Sequence, residues 1–196
     1  MYFIDIIKTR RSIRRFRSEK LPESDLIELV ETARCAPAGA NIQSLEYIII
    51  NDPQVCDSIF PHVAWASHVK PARNPAKSQR PVAYIAVIFD NEIKCSGATV
   101  DAAAAIENIL LAAWTKRIGS CWLGLIDRKA LAKLFNLPER YIVDSLVALG
   151  YPAERPVMEN CKTDSTKYYL DSDDVLHVPK RPLRQIAHAN KFGGIV

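Results

Sequence analysis

The stretch from Val100 to Lys116 is apolar or small on more than one face. Ile106, Ile109, Leu110, Ala113 and Trp114 recur at i, i+3, i+4, i+7 and i+8, the spacing of one side of a helix. Ala102 to Ala105 add a second, smooth side against which another helix can lie closely. A helix of this kind must be covered on several sides, and a chain of 196 residues can cover one by itself. Asp101, Glu107 and Asn108 interrupt the stretch, which is also too short to cross a bilayer. No membrane partner is expected.

The elements around this helix mix strands and helices. Residues 2–9 suit a short amphipathic helix with Phe3, Ile6 and Ile7 on one side. Pro22-Glu23-Ser24-Asp25 is a helix start, followed by Leu26, Leu29, Val30 and Ala33 at helical spacing. Pro37-Ala38-Gly39 reads as a loop. Tyr47 to Ile50, Val82 to Phe89 and Ile142 to Leu149 read as buried strands, and Asn51-Asp52-Pro53 ends the first and can open a helix. Asp127 can cap a helix carrying Ala130, Leu131, Leu134 and Phe135. Residues 61–81 hold Pro61, Pro71, Pro75 and Pro81 among Lys70, Arg73, Lys77 and Arg80, the best candidate for a mobile excursion over a pocket. The last 40 or so residues have little core periodicity and read as an arm lying over something else.

Several functional classes are disfavoured. The five cysteines (Cys35, Cys56, Cys95, Cys121 and Cys161) form no C-x-x-C pair, and the histidines are scattered. A disulfide framework or metal site is not expected. No secretory signal is visible, so a reduced, cytoplasmic compartment is expected. The net charge of +4 does not imply nucleic acid, and the basic run lacks aromatic interleaving. No G-x-G-x-x-G follows a strand, so a dinucleotide-binding unit is not supported.

Three segments carry candidate chemistry. In extended backbone Arg10, Ser12 and Arg14 project to one side, and in a helix Arg10 and Arg14 remain neighbours. Two guanidinium groups and a hydroxyl suit a phosphate, although a solvated basic face has the same composition. The segment Ala36-Pro37-Ala38-Gly39-Ala40-Asn41-Ile42-Gln43 combines small residues with two amides. It suits the mixed donor and acceptor edge of a flat ligand, or equally a polar turn after a helix. Gly119-Ser120-Cys121-Trp122-Leu123-Gly124 can set backbone N–H groups and an aromatic wall beside a ring, or simply be a buried strand.

The ordered set is more specific than its members. Arg-Arg-Ser-Ile-Arg, then Ala-Pro-x-x-x-Asn-x-Gln, then Gly-Ser-Cys-Trp-Leu-Gly, then Leu-Gly-Tyr-Pro resembles the nitroreductase family from residue 3 to residue 152. The ending Lys180-Arg181-Pro182-Leu183 also resembles that family's C-terminus. The chain departs from the common pattern at Ala38, where many members have serine, and at Ser44-Leu45, where many have proline and an aromatic residue.

The resemblance implies one α+β domain over residues 1–196. Its fold would be a three-layer α/β/α sandwich with a mainly antiparallel central sheet, and residues 153–196 would form an arm wrapping the partner of a homodimer. It implies FMN at the subunit interface and NADH or NADPH as co-substrate. Arg10, Arg11, Ser12 and Arg14 would contact the phosphate, ribityl chain or pyrimidine edge. Pro37, Ala38, Gly39, Asn41 and Gln43 would form a wall from the partner subunit. Leu123 and Gly124 would run past N5 of the ring, and Arg181, with Lys180 beside it, would reach the phosphate. The implied activity is electron transfer to a small acceptor, such as a nitroaromatic or quinone, by a ping-pong mechanism with no catalytic acid or base. Other roles on the same fold are flavin destruction, dehalogenation and FMN storage without turnover. Cys121 reads as a buried structural thiol.

Overall fold

A computed structural model describes residues 2–66, 69, 74–93, 96–161, 163 and 165–195. In chain order the elements are α1 (Phe3–Thr9), α2 (Glu23–Arg34), β1 (Leu45–Ile50), α3 (Pro53–Ile59), β2 (Ala83–Asp90), α4 (Ala98–Thr115), β3 (Gly119–Leu123), α5 (Arg128–Leu134), β4 (Tyr141–Gly150), β5 (Val157–Asn160), β6 (Tyr169–Leu170) and β7 (Leu176–Lys180). Lys70, Pro71 and Arg73 of the proline-rich segment, and Cys95, lie outside the described residues.

The central sheet has the order β1-β2-β4-β3, and every neighbouring pair is antiparallel. Strand β2 is buried along its whole length, so successive side chains must enter two different apolar layers. Ala83, Ile85 and Val87 meet α2 and α4, while Tyr84, Ala86 and Ile88 meet α3 and α5. Three layers result. Helix α4 buries Ala102, Ala105, Ile106, Ile109 and Ala113 against the sheet and against Leu26, Leu29 and Ala33 of α2. Fully burying Ile106 and Ile109 contributes about 1.5–3 kcal/mol each. Local signals set the shorter helices. Asp52 accepts from the N–H groups of Gln54 (2.8 Å) and Val55 (3.2 Å), and Asp127 from that of Ala130 (3.1 Å).

Three features differ from expectation. In α1 only Ile6 is buried, while Phe3 and Ile7 are exposed. The proline-rich segment is not free where it is described: Trp65 is buried and stacks on Phe60 at 6.0 Å, and Lys77 and Arg80 reach Asp57. The residues after 152 are not uniformly an arm without a core. Strand β7 pairs in parallel with β5 and antiparallel with β6, and Leu176 packs with Ala66 and Val69 of the same chain. Beyond β7 the chain does expose Leu183, Ile186, Phe192 and Ile195.

Candidate functional site

The basic run is fixed by its backbone. The N–H of Ile13 donates to Ser120 (2.9 Å) and that of Arg17 to Tyr151 (2.8 Å), so residues 12–17 lie along the ends of β3 and β4. Glu154 accepts from the N–H groups of Arg14 (2.5 Å) and Arg15 (3.2 Å). Ile13 and Phe16 are fully buried over two glycines paired across the strands, Gly119 and Gly150. A β-carbon at Gly119 would lie 2.9 Å from Cγ1 of Ile13, and one at Gly150 would lie 3.0 Å from Cβ of Phe16. The glycines are there because the run approaches too closely for any side chain.

This placement separates the arginines. Ser12 bridges to Ser120 on β3, an edge strand, and lines a recess of about 470 Å³ with Thr99, Trp122, Gly124, Asp144 and Ser145. Nothing lies within 4 Å of the point where Gly124 would carry a β-carbon, so a flat group can reach its backbone. The Leu123 side chain is buried in the core, which leaves only its backbone for a ligand. Arg14 holds its guanidinium 5.3 Å from the ring centre of Tyr168. Arg11 turns elsewhere, onto the carbonyls of Lys8 and Arg10, and lines a separate recess of about 730 Å³ with Arg17, Trp114, Arg117 and Arg155. Burial, then Arg10, lowers its pKa from the ordinary arginine value. Arg181 is exposed and donates to the carbonyl of Gln185 (3.0 Å), so one chain does not bring it to Ser12.

Two buried polar atoms beside the run, Nη1 of Arg10 and Oγ of Ser120, have no hydrogen-bond partner among the described residues. Leaving such groups unsatisfied is costly. A ligand with phosphate oxygens and hydroxyls would satisfy both, so these residues fit FMN. Cys121, next to Ser120, is buried, and burial pushes its thiol pKa up while Arg14 and Arg10 pull it down. The thiol is buried, as expected from its apolar neighbours.

The loop of small residues opens elsewhere. Pro37, Ala38 and Gln43 border a shallow recess of about 60 Å³ with Tyr47 and Asp101. The buried carboxylate of Asp101 accepts the N–H of Gly39 at 3.0 Å. Ala40, Asn41 and Gln43 all have positive φ (52°, 54° and 56°), and Gly39, Asn41 and Gln43 are exposed. Three left-handed non-glycine residues in one loop store strain, which persists only where surrounding structure fixes it. Both recesses touch the first turns of α4, one at Thr99 and the other at Asp101. Residues two apart on a helix point about 200° apart. The two groups of predicted residues therefore open in different directions from one chain. Asp144, Ser145 and Arg128 at the Ser12 recess belong to none of the three motifs, and neither does Glu154.

Known proteins resemble this chain in sequence and in fold. A family model described as the nitroreductase family matches residues 7–151. A protein of Methanothermobacter thermautotrophicus, provisionally named NADH dehydrogenase/NAD(P)H nitroreductase, is 33% identical over 161 residues, covering 80% of each chain. The iodotyrosine deiodinase of Thermotoga neapolitana is 27% identical over 165 residues, covering 76% of this chain and 84% of its own. A provisionally named nitroreductase of Desulfovibrio desulfuricans, solved in complex with FMN, superposes with a TM-score of 0.70 at 25% identity over 98% of both chains. With the three-layer antiparallel sheet and the run bridged to β3 matched from residue 7 to residue 151, the chain belongs to the nitroreductase family.

Proposed function

We propose that this protein is an FMN-dependent oxidoreductase that passes reducing equivalents from NADH or NADPH to a small electron-poor acceptor, such as a nitroaromatic or a quinone. The observation that carries the reading is the pair of unsatisfied buried atoms, Arg10 Nη1 in the basic run and Ser120 Oγ on the strand to which Ser12 bridges. The FMN held by the Desulfovibrio desulfuricans protein and the NAD(P)H in the name of the Methanothermobacter relative support it.

Bound FMN would supply the two-electron redox chemistry. The chain's own residues position it. Arg10 and Arg14 offer charge-assisted donors to the phosphate, and Ser12 and Ser120 offer hydroxyls to the ribityl chain. The edge of β3 at Leu123 and Gly124 offers backbone N–H groups to the ring. No side chain is assigned as acid or base. Donor and acceptor use the recess in turn, which gives ping-pong kinetics.

The site is shared between two subunits of a cytoplasmic homodimer. Pro37, Ala38, Gly39, Asn41 and Gln43 face the flavin of the partner, and Arg181 reaches the phosphate from the arm of residues 153–196 once that arm is seated. Exposed apolar residues at the start of the chain (Tyr2, and Phe3 and Ile4 on α1), on α4 (Val100) and in the tail (Phe192, Ile195) support such a contact. Arg11, which lines the other recess, acts on the flavin only through the backbone it shares with Ser12.

The test is a visible absorption spectrum followed by anaerobic titration with NADH and with NADPH. A flavin spectrum bleached by either nicotinamide and restored by a quinone is expected. A colourless protein that takes up no added FMN would contradict the reading. The deiodinase relative supports reductive dehalogenation as a second reading, in which a halophenol rather than a quinone restores the colour.

A further inference from the structure

The recess contains a buried charge that FMN binding does not use. Strand β4 is bulged where it borders the recess: Val87 pairs with Ser145 and Ile88 with Val143, which leaves Asp144 as an extra residue. Asp144 is 5% exposed and Ser145 is 3% exposed. The Ser145 hydroxyl donates to Oδ2 of Asp144 at 2.7 Å, and no cation lies within ion-pair distance of this carboxylate among the described residues. Arg128 stands at the same recess but spends its donors on backbone. Its Nη2 donates to the carbonyl of Asp144 (2.9 Å) and, more weakly, to that of Gly124 (3.4 Å). A buried negative charge and an exposed positive one thus flank the space beside Gly124.

We propose that Asp144 is a redox-tuning residue, which holds the potential of bound FMN low, and that Arg128 opposes it more weakly. The proposal rests on the FMN reading. Two-electron reduction of FMN with uptake of one proton adds one negative charge to the ring. A fixed negative charge beside the ring disfavours that product, and a fixed positive charge favours it. The signs are opposite, so burial decides the balance. Asp144 is screened little by water and salt, whereas Arg128 is exposed and screened strongly. The net effect is a flavin that gives up its electrons more readily to the acceptor. Arg128 has a second task, since its two hydrogen bonds tie the turn at Gly124 to the bulge and keep the recess walls in register.

Potentiometric titration of the FMN-loaded protein tests this. A unit charge within about 10 Å at the effective dielectric of a protein shifts an equilibrium by roughly tenfold. Tenfold is about 30 mV on a two-electron couple. Asp144→Asn, which keeps the shape and the acceptor for Ser145, is expected to raise the potential by that order. Asp144→Glu keeps the charge and is expected to stay near the wild-type value, which a packing role alone would not give. Arg128→Gln is expected to lower the potential, by less. An unshifted potential in Asp144→Asn, or shifts of the same sign in Asp144→Asn and Arg128→Gln, would overturn the proposal. Should Asp144→Asn fail to fold, an unchanged or raised potential in Arg128→Gln overturns it instead. A wild-type protein that takes up no FMN refutes the parent reading and this one together, whereas a flavoprotein with unshifted variants refutes this one alone.

Discussion

Gly119→Ala is expected to perturb the proposed flavin site without touching a ligand-binding side chain. The added methyl would lie 2.9 Å from Cγ1 and 3.0 Å from Cβ of Ile13, and 3.0 Å from Cγ of Pro152. Something must move. Ile13 is fully buried, and its N–H is bonded to Ser120 at 2.9 Å, so it cannot retreat alone. Its retreat carries Ser12 and Arg14 with it. Overpacking of this kind costs about 1–3 kcal/mol. If Arg14 also loses a charge-assisted contact to phosphate, FMN affinity falls by roughly tenfold or more. Urea unfolding of the apoprotein measures the first effect, and fluorescence titration with FMN measures the second. Ile13→Ala in the Gly119→Ala background removes the clashing Cγ1, so the double mutant should be more stable than the sum of the two single losses, by about 0.5–3 kcal/mol. A Gly119→Ala protein with wild-type stability and FMN affinity would refute the claim that the close approach of Ile13 positions the run.

Arg14→Ala should weaken FMN binding by roughly tenfold or more while the protein stays folded, and unchanged affinity by titration would remove Arg14 from the site. Ala40→Gly relieves a φ of 52° and should stabilise the apoprotein by about 1 kcal/mol in urea unfolding, where no gain would mean the loop is not strained. Both ring nitrogens of His177 meet carboxylates, Glu159 at 3.2 Å and Asp171 at 2.9 Å, and only the charged imidazole donates to both. Its pKa is raised, first by the hydrogen bond to Asp171, so that support for β7 is full below the ordinary histidine pKa and is lost as pH rises through the raised one. Asp171 is lowered, first by His177, and its contribution is lost as pH falls through the lowered value. The small sheet should thus be firmest between the ordinary aspartate and histidine values. An NMR titration of the His177 ring with an unraised midpoint would rule this out.

Legibility in the sequence followed the length of the local signal. The periodicity from Val100 to Lys116 found α4 to within two residues at its start and one at its end, because an apolar stripe over many turns has one structural solution. The cap at Asp127 and the helix start at Asn51-Asp52-Pro53 were equally legible, since a cap needs only an acceptor two or three residues ahead of a free N–H. The sheet of β5, β6 and β7 was not. Its strands are short, β7 contains Pro179, and its parallel pairing joins Val157 to His177, residues with no local relation. At the site, Ser12 and Gly124 do meet at one recess. The resemblance groups Arg11 with Ser12 at the flavin, whereas the folded chain turns Arg11 into a different recess with Trp114 and Arg155. Glu154 and Asp144 belong to no motif. One is defined by N–H groups about 140 residues away in sequence and the other by a bulge, and only the folded chain reveals either.

In the proposed assembly Ser12 and Gly124 of one subunit and Pro37 to Gln43 of another enclose one flavin. Sedimentation velocity at micromolar protein, followed at the flavin's visible absorption band, tests it most directly. All bound flavin is expected to sediment with a dimer, twice the 22.0 kDa of the single chain. Flavin sedimenting stably with a single 22.0 kDa chain would contradict the shared site.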